Sequence, residues 1–279
     1  MTYGELWKSL TAIYDEREAK AVSRYLLEVK YHLSMADVLG GAVPSDADES
    51  IRADIARLLR NEPIQYIIGE GEFCGRLFIC RRGALIPRPE TAGLCRLIVE
   101  AEHDSNAVRP LRVLDVGTGT GCIAVTLALD LPAAVVEAWD ISDAALALAA
   151  ENARRLNATV GFRKQDMTAA PLPSAPCFDL IVSNPPYVCN SEAAAMEPQV
   201  LDFEPHEALF VPDDDPLRYY RAVARYAAVA LESGGRLYFE INPLFVNEME
   251  TMLHDMGFDS VSTYADAWEK PRMMKAVKP

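Results

Sequence analysis

In the first quarter of the chain, apolar residues recur every three or four positions, the spacing that places them on one face of an α-helix. Pro63 ends the last of these segments, because proline lacks the backbone N–H that a helix interior needs. The pattern predicts a small helical domain over residues 1–72. Its apolar faces are Leu6, Leu10 and Ile13; Val22, Leu26 and Val29; and Ile51, Ile55, Leu58 and Leu59.

The pattern changes after residue 72. Gly75 and Gly83 interrupt a run of apolar positions, which predicts a short hairpin that links two domains over residues 73–92. From residue 93 to residue 279, short apolar runs alternate with helical patterns such as 143–156 and 216–231. This alternation predicts an α/β fold, a doubly wound and mostly parallel sheet with helices on both faces. We expect seven strands, at 111–116, 135–140, 159–164, 178–183, 236–241, 258–263 and 273–277.

The charge balance limits the function classes. The 279 residues include 27 Lys and Arg against 41 Asp and Glu, so the formal net charge is -14. Stable binding to nucleic acid is therefore not expected, because gripping a long phosphate backbone needs a continuous basic surface. No apolar stretch is long enough for a membrane span, and the N-terminus lacks a signal-peptide pattern.

Six cysteines are spread irregularly along the chain, and none of them forms a CxxC pair. We expect reduced thiols and a cytoplasmic protein, since disulfides belong to oxidising compartments. No two Cys or His residues stand at metal-ligand spacing, so we expect no metal site.

Two sequence features suggest a nucleoside ligand. Segment 115–121 is Asp-Val-Gly-Thr-Gly-Thr-Gly and follows the first predicted strand of the sheet. Its three glycines permit a sharp turn and a close approach of a ligand to the backbone. Asp140 ends the next strand, where an acid in doubly wound folds accepts hydrogen bonds from ribose hydroxyls. Asp166 follows the third strand and either lines the adenine end of such a site or caps a turn.

The third feature is Asn184-Pro185-Pro186-Tyr187, which follows the predicted strand 178–183. The two prolines remove two backbone donors and leave an acceptor-rich corner, formed by the Asn184 side-chain oxygen and the Pro185 carbonyl. Such a corner suits an NH2 group that donates two hydrogen bonds. Tyr187 can stack on a planar amide or base. The position favours function, because ligands of open sheets bind at the carboxyl ends of the strands.

Together with these motifs, three further segments resemble the HemK/PrmC family of release factor glutamine N5-methyltransferases. They are Pro-Ile-Gln-Tyr-Ile-Ile-Gly at 63–69, Leu-Ile-Pro-Arg-Pro-Glu-Thr at 85–91 and Glu-Pro-His-Glu-Ala-Leu at 204–209. The resemblance implies a class I methyltransferase fold and a substrate-recognition role for the N-terminal domain. It implies S-adenosylmethionine as cofactor, S-adenosylhomocysteine as product, and peptide chain release factors as protein substrates. Met167 and Asn242 depart from the family, which usually has an aromatic residue and a glycine there.

The resemblance also implies residue roles. Asn184 would contact both cofactor and glutamine, and it would carry catalysis with Pro185 and Tyr187. Pro186 would complete the glutamine pocket, and Arg88 and Glu90 would lie beside its mouth. The cofactor would be bound by Gly117, Thr118, Gly119, Thr120, Gly121, Asp140, Asp166, Met167 and Asn184.

Three alternatives stay open at this point. The acceptor corner also suits a glutamine in a ribosomal protein, or the exocyclic amine of adenine in DNA, although the net charge argues against DNA. A nucleoside-binding module without catalysis is the alternative outside the enzymes. The intact segment 184–187 argues against that module.

Overall fold

A computed structural model describes residues 2–40, 48–102 and 109–279. Its helices are α1 (Tyr3–Leu10), α2 (Glu16–Tyr25), α3 (Met35–Gly40), α4 (Asp48–Leu58), α5 (Ile64–Ile68), α6 (Pro89–Glu102), α7 (Cys122–Asp130), α8 (Asp143–Arg155), α9 (Pro198–Phe203), α10 (Arg218–Ala230) and α11 (Val246–Asp255). Its strands are β1 (Glu70–Phe73), β2 (Arg76–Ile79), β3 (Arg112–Val116), β4 (Val135–Asp140), β5 (Val160–Lys164), β6 (Phe178–Ser183), β7 (Val188–Cys189), β8 (Phe210–Val211), β9 (Leu231–Glu240), β10 (Asp259–Ala265) and β11 (Pro271–Val277).

The described residues form two compact units. The first, here the helical unit, holds the chain up to Gly71 together with Cys80–Arg82 and Met196–Glu204. The second, here the sheet unit, holds Glu72–Ile79 and most of the chain from Gly83 onward. Every helix in the described ranges falls short of the length and apolar character that crossing a bilayer requires.

Local capping starts the first helices of the helical unit. The Thr2 hydroxyl accepts a hydrogen bond from the backbone N–H of Glu5 (3.2 Å), and the Glu5 carboxylate accepts one from the N–H of Thr2 (2.8 Å). This reciprocal capping satisfies two N–H groups that a helix terminus leaves unpaired. The Asp15 carboxylate caps α2 in a similar way, by accepting from the N–H of Glu18 (2.8 Å).

The core of the helical unit corrects two expectations. A π-helical turn at Leu26–Lys30 follows α2, and it buries Leu26 and Leu27 rather than Val29. The wider turn changes the angular spacing of side chains, so the spacing of an α-helix selects the wrong residue. Leu59 lies beyond the end of α4 and is 38% exposed, so its assignment to the buried face was wrong.

The sheet unit contains a seven-stranded sheet with the order β10-β11-β9-β6-β3-β4-β5. Strands β9, β6, β3, β4 and β5 are parallel, whereas β11 runs antiparallel to β9. The edge strand β10 pairs antiparallel with β11 and so runs in the same direction as the five parallel strands. All seven predicted strands are confirmed, with ends shifted by a few residues. The two-residue strands β7 and β8, which pair with each other, were not predicted, because they are too short to show an alternating pattern.

Two apolar clusters cover the two faces of this sheet. Along the central strand β6, Ile181 belongs to one cluster, while Leu180 and Val182 belong to the other. Helices α10 and α11 contribute to the first cluster, and α6 and α7 to the second. Since successive side chains of a strand point to opposite faces, this division confirms the predicted doubly wound arrangement.

Candidate functional site

A cavity of about 380 Å³ lies in the sheet unit at the carboxyl ends of β3, β4 and β6. The three motifs meet there because these strands are parallel neighbours, and the chain changes direction across the sheet between β3 and β6. The predicted site residues that line the cavity are Arg88, Gly117, Thr118, Gly119, Thr120, Asp140, Asp166, Met167, Asn184, Pro185 and Pro186. Three other predicted site residues, all of them described, lie outside this lining: Glu90, Gly121 and Tyr187.

The glycine turn after β3 is fixed by its backbone. The N–H groups of Gly117 and Thr118 both donate to the Trp139 carbonyl, at 2.8 and 3.0 Å. Gly117 and Gly119 have φ values of 76° and 55°, and a Cβ built at either would meet no heavy atom within 4 Å. Both therefore leave open space beside bare backbone at the cavity wall. Such a surface allows a ligand to approach the main chain closely.

Gly121 has a different role in the same turn. Its φ is 80°, and a Cβ there would lie 2.9 Å from the Cβ and 3.1 Å from the Cα of Ala149 in α8. A side chain at this position would overlap a packed helix. The third glycine therefore permits close packing of the turn against α8, which is a structural requirement.

Asp140 presents an acceptor at the end of β4. One carboxylate oxygen accepts from the N–H of Gly119 and the other from the N–H of Ser142, both at 2.9 Å. These bonds hold the carboxylate against the glycine turn. Each oxygen has a further lone pair for a donor in the cavity, as a pair of ribose hydroxyls would need.

A second carboxylate, that of Asp115, is buried behind the turn. One of its oxygens accepts from the Thr118 hydroxyl (2.7 Å) and from the N–H of Ala124 (3.2 Å). The other oxygen has no hydrogen-bond partner among the described residues. Complete burial raises the pKa of Asp115 from its ordinary value to about 7, against the lowering effect of these two hydrogen bonds.

Asp166 and Met167 form the next part of the cavity wall. One Asp166 oxygen accepts from the N–H and the hydroxyl of Thr168, at 2.8 and 2.7 Å, and so caps the 3-10 turn Met167–Ala169. Met167 packs against the apolar cluster that holds α10. Asp166 thus caps a turn and also lines the cavity.

Asn184 is oriented by residues distant in the sequence. Its Nδ2 donates to the Thr91 hydroxyl at 3.1 Å, and that hydroxyl donates to Glu240 Oε2 at 2.5 Å. The Tyr187 hydroxyl donates to Glu240 Oε1 at 3.0 Å. We call these four residues the Glu240 network. No described residue donates to Asn184 Oδ1, so the amide keeps a free acceptor at the cavity.

Sequence reasoning missed Thr91 and Glu240 as site residues. A signal for Glu240 existed, because a carboxylate that directly follows the apolar run 237–239 needs a buried partner. Burial raises its pKa, while hydrogen bonds from Thr91 and Tyr187 lower it. No local pattern indicated that Thr91, 149 residues away, would be the partner.

Asn242, one of the departures noted in the sequence, supports the turn from behind. Its Nδ2 donates to the Tyr187 carbonyl (3.1 Å) and to Glu192 (2.9 Å), and its Oδ1 accepts from the N–H of Leu244 (3.0 Å). Asn242 is 3% exposed. It therefore links the end of β9 to the segment that follows Asn184. A glycine at this position could not form these hydrogen bonds, because it has no side chain.

Comparisons with known proteins identify the class of this fold. A family model described as "Methyltransferase small domain" matches residues 96–201. A guanosine N2-methyltransferase for 16S rRNA from Thermus thermophilus, solved with AdoMet and guanosine, has a TM-score of 0.55 at 20% identity, over 75% of this chain and 50% of that one. A Pyrococcus furiosus methyltransferase has a TM-score of 0.52 at 17% identity, over 80% and 96%. The fold is that of class I methyltransferases, as predicted.

Relatives similar over nearly the whole chain give the family. Three proteins named "Release factor glutamine methyltransferase" are 44% identical in Bacteroides thetaiotaomicron, 37% in Flavobacterium psychrophilum and 35% in Lactococcus lactis. The matches cover 96%, 96% and 98% of this chain, and 96%, 95% and 99% of those proteins. This chain belongs to the release factor glutamine methyltransferase family.

Proposed function

We propose that this protein is an enzyme that transfers a methyl group from S-adenosylmethionine to the side-chain amide nitrogen (N5) of a glutamine in peptide chain release factors. The observation that carries the proposal is the free Oδ1 acceptor of Asn184 beside the Pro185 backbone, at the end of a cavity suited to a nucleoside. The names of the family's members support the release factor as substrate.

The residues of the cavity fit the cofactor. Gly117 and Gly119 leave open space at their backbone, and the Asp140 carboxylate has free lone pairs for ribose hydroxyls. Thr120 also lines the cavity. Met167 offers an apolar contact for a base. We assign the methionine part to the glycine turn, the ribose to Asp140, and the adenine to Asp166 and Met167.

The chemistry requires positioning above all. S-adenosylmethionine supplies an electrophilic methyl group on a sulfonium. An amide nitrogen is a weak nucleophile, because its lone pair is delocalised into the carbonyl. Asn184 Oδ1 and the Pro185 carbonyl would accept the two amide N–H groups and hold the nitrogen in line for attack. Such positioning can lower a barrier by roughly 7 to 11 kcal/mol in the best cases.

The same acceptors also stabilise charge. As the new bond forms, positive charge develops on the nitrogen, and acceptors aimed at its two hydrogens stabilise it. The nitrogen can lose its proton after the transfer, so no dedicated base is needed. Tyr187 supports the site through its hydrogen bond to Glu240, and Pro186 restricts the turn that carries Asn184.

The surroundings of the pocket would contact the protein substrate. We assign Arg88 and Glu90 to the pocket mouth, and substrate recognition also to the helical domain (residues 1–72), which has an apolar core of its own. A net charge of -14 supports a protein rather than a nucleic acid partner. We propose the cytoplasm as the site of reaction, because release factors act on ribosomes there; the six free cysteines suit a reducing compartment.

The test measures methyl incorporation from labelled S-adenosylmethionine into purified release factors, ribosomal proteins and DNA. We expect label in release factor only, lost when its acceptor glutamine is replaced. Asn184→Ala should lower the rate by about 10²- to 10³-fold, as when one preorganised hydrogen-bonding group is removed, with little change in S-adenosylhomocysteine affinity. Asn247→Ala, an exposed asparagine on α11, is the matched control. Label in ribosomal protein or DNA but not in release factor would contradict the proposal.

A further inference from the structure

We propose that Glu240 is a positioning residue whose ionised carboxylate fixes which end of the Asn184 amide faces the substrate, and that a proton on Glu240 reverses that orientation. This inference rests on the proposed function, because it concerns the acceptor that would hold the glutamine. It assigns to Glu240 and Thr91 a role in the reaction that neither performs by direct contact with the reacting atoms.

With Glu240 ionised, the direction of every hydrogen bond in the network is determined. A carboxylate can only accept, so Thr91 and Tyr187 must donate to its two oxygens. The Thr91 hydroxyl has one hydrogen, which it donates to Glu240. It can therefore only accept from Asn184, which must present its NH2 group to Thr91. The Oδ1 of Asn184 is then left for the substrate amide.

A proton on Glu240 allows the opposite direction. The carboxylic acid can donate to the Thr91 hydroxyl, and the hydroxyl is then free to donate in turn. Thr91 would donate to Asn184 Oδ1, which requires a half-turn of the amide. The Asn184 NH2 group would then face the NH2 group of the substrate glutamine. Two donors cannot form a hydrogen bond, so this orientation cannot hold the nucleophile.

The surroundings of Glu240 determine the pH at which this change occurs. Its carboxylate is fully buried, and this burial raises its pKa above the ordinary value for a glutamate. Thr91, Tyr187 and Arg272 lower the pKa, and Glu90 raises it. The Tyr220 hydroxyl, from α10, donates to the backbone carbonyl of Glu240 rather than to the carboxylate (3.1 Å). Activity is therefore expected to fall as the pH falls through this raised pKa.

The experiment measures the single-turnover rate of release factor methylation against pH, with saturating S-adenosylmethionine. Saturation keeps titrations that affect only cofactor affinity out of the rate. The variants are Thr91→Val, which removes the hydroxyl at nearly constant shape, Thr91→Ser, which keeps it, and Glu240→Gln, which cannot ionise. Thr126→Val is the control, since this buried threonine lies outside the cavity lining and its hydroxyl has no partner among the described residues.

We expect the wild type, Thr91→Ser and Thr126→Val to lose about tenfold in rate per pH unit on the acidic side, as a single titrating group requires. Thr91→Val should lose this acidic limb, and its plateau should be lower by roughly three- to tenfold, the value of one hydrogen bond. Glu240→Gln should also lose the limb. S-adenosylhomocysteine affinity should stay within about threefold in all folded variants.

Two results would overturn the inference: a wild type without an acidic limb, or a Thr91→Val enzyme that keeps either the limb or the full plateau rate. Because Glu240 is buried, the Glu240→Gln result is used only if the circular dichroism and melting temperature of this variant match those of the wild type. If they do not match, the result for Thr91→Val alone tests the inference. Failure of the proposed function is distinguishable, because the wild type itself would then leave release factor unmethylated at every pH.

Discussion

Gly119 and Gly121 belong to one turn, yet alanine should damage the protein in a different way at each position. Both residues have positive φ, which costs an alanine roughly 1 to 2 kcal/mol of stability. At Gly119 we expect no further stability cost, because the new Cβ meets no heavy atom within 4 Å. At Gly121 the new Cβ lies 2.9 Å from the Cβ of Ala149, and overpacking of this kind costs roughly 1 to 3 kcal/mol more.

The two variants therefore separate stability from binding. Urea unfolding should show Gly121→Ala to be less stable than Gly119→Ala by roughly 1 to 3 kcal/mol. Calorimetry with S-adenosylhomocysteine should show the reverse order of damage: Gly119→Ala weakens binding at least tenfold, whereas folded Gly121→Ala binds within a few-fold of the wild type. Equal stability of the two variants would refute the packing argument. Unchanged affinity of Gly119→Ala would refute the assignment of the turn to the cofactor.

Three further predictions follow from single side chains. The folded-state pKa of Asp115 is raised to about 7, so the wild type loses stability as the pH rises through that value. The Asp115→Asn variant lacks this titration. Its free energy of unfolding relative to the wild type, measured in urea, should therefore increase by roughly 2 to 3 kcal/mol between pH 5 and pH 8. No increase would show that Asp115 titrates normally. Asp140→Asn should weaken S-adenosylhomocysteine binding by about 10- to 100-fold in calorimetry, the value of a hydrogen bond to a charged group. Asn242→Gly removes the donor to the Tyr187 carbonyl and to Glu192, and should lower the free energy of unfolding by about 1 to 3 kcal/mol; an unchanged urea midpoint would contradict this.

Local chemistry explains why the sheet could be predicted from the sequence. Strand β6 is buried along its whole length and four of its six residues are apolar, and the turn after β3 needs glycines because its backbone is left-handed at three positions. Both signals lie within a few consecutive residues. The π-helical turn at Leu26–Lys30 carries no such signal, so the burial of Leu27 there was not predicted.

The sequence by itself determined the α/β class, the seven strands and the residues at their carboxyl ends, because these follow from local spacing and from the geometry of parallel strands. Only the tertiary structure decided what each of those residues does. Gly117 and Gly119 leave open space at the cavity, whereas Gly121 fits against Ala149. The orientation of Asn184 depends on Thr91 and Glu240, which come from different elements far apart in the chain. Long-range packing and hydrogen bonds of this kind produce no periodic pattern in a single sequence, because the local pattern around each residue would be the same without its distant partner.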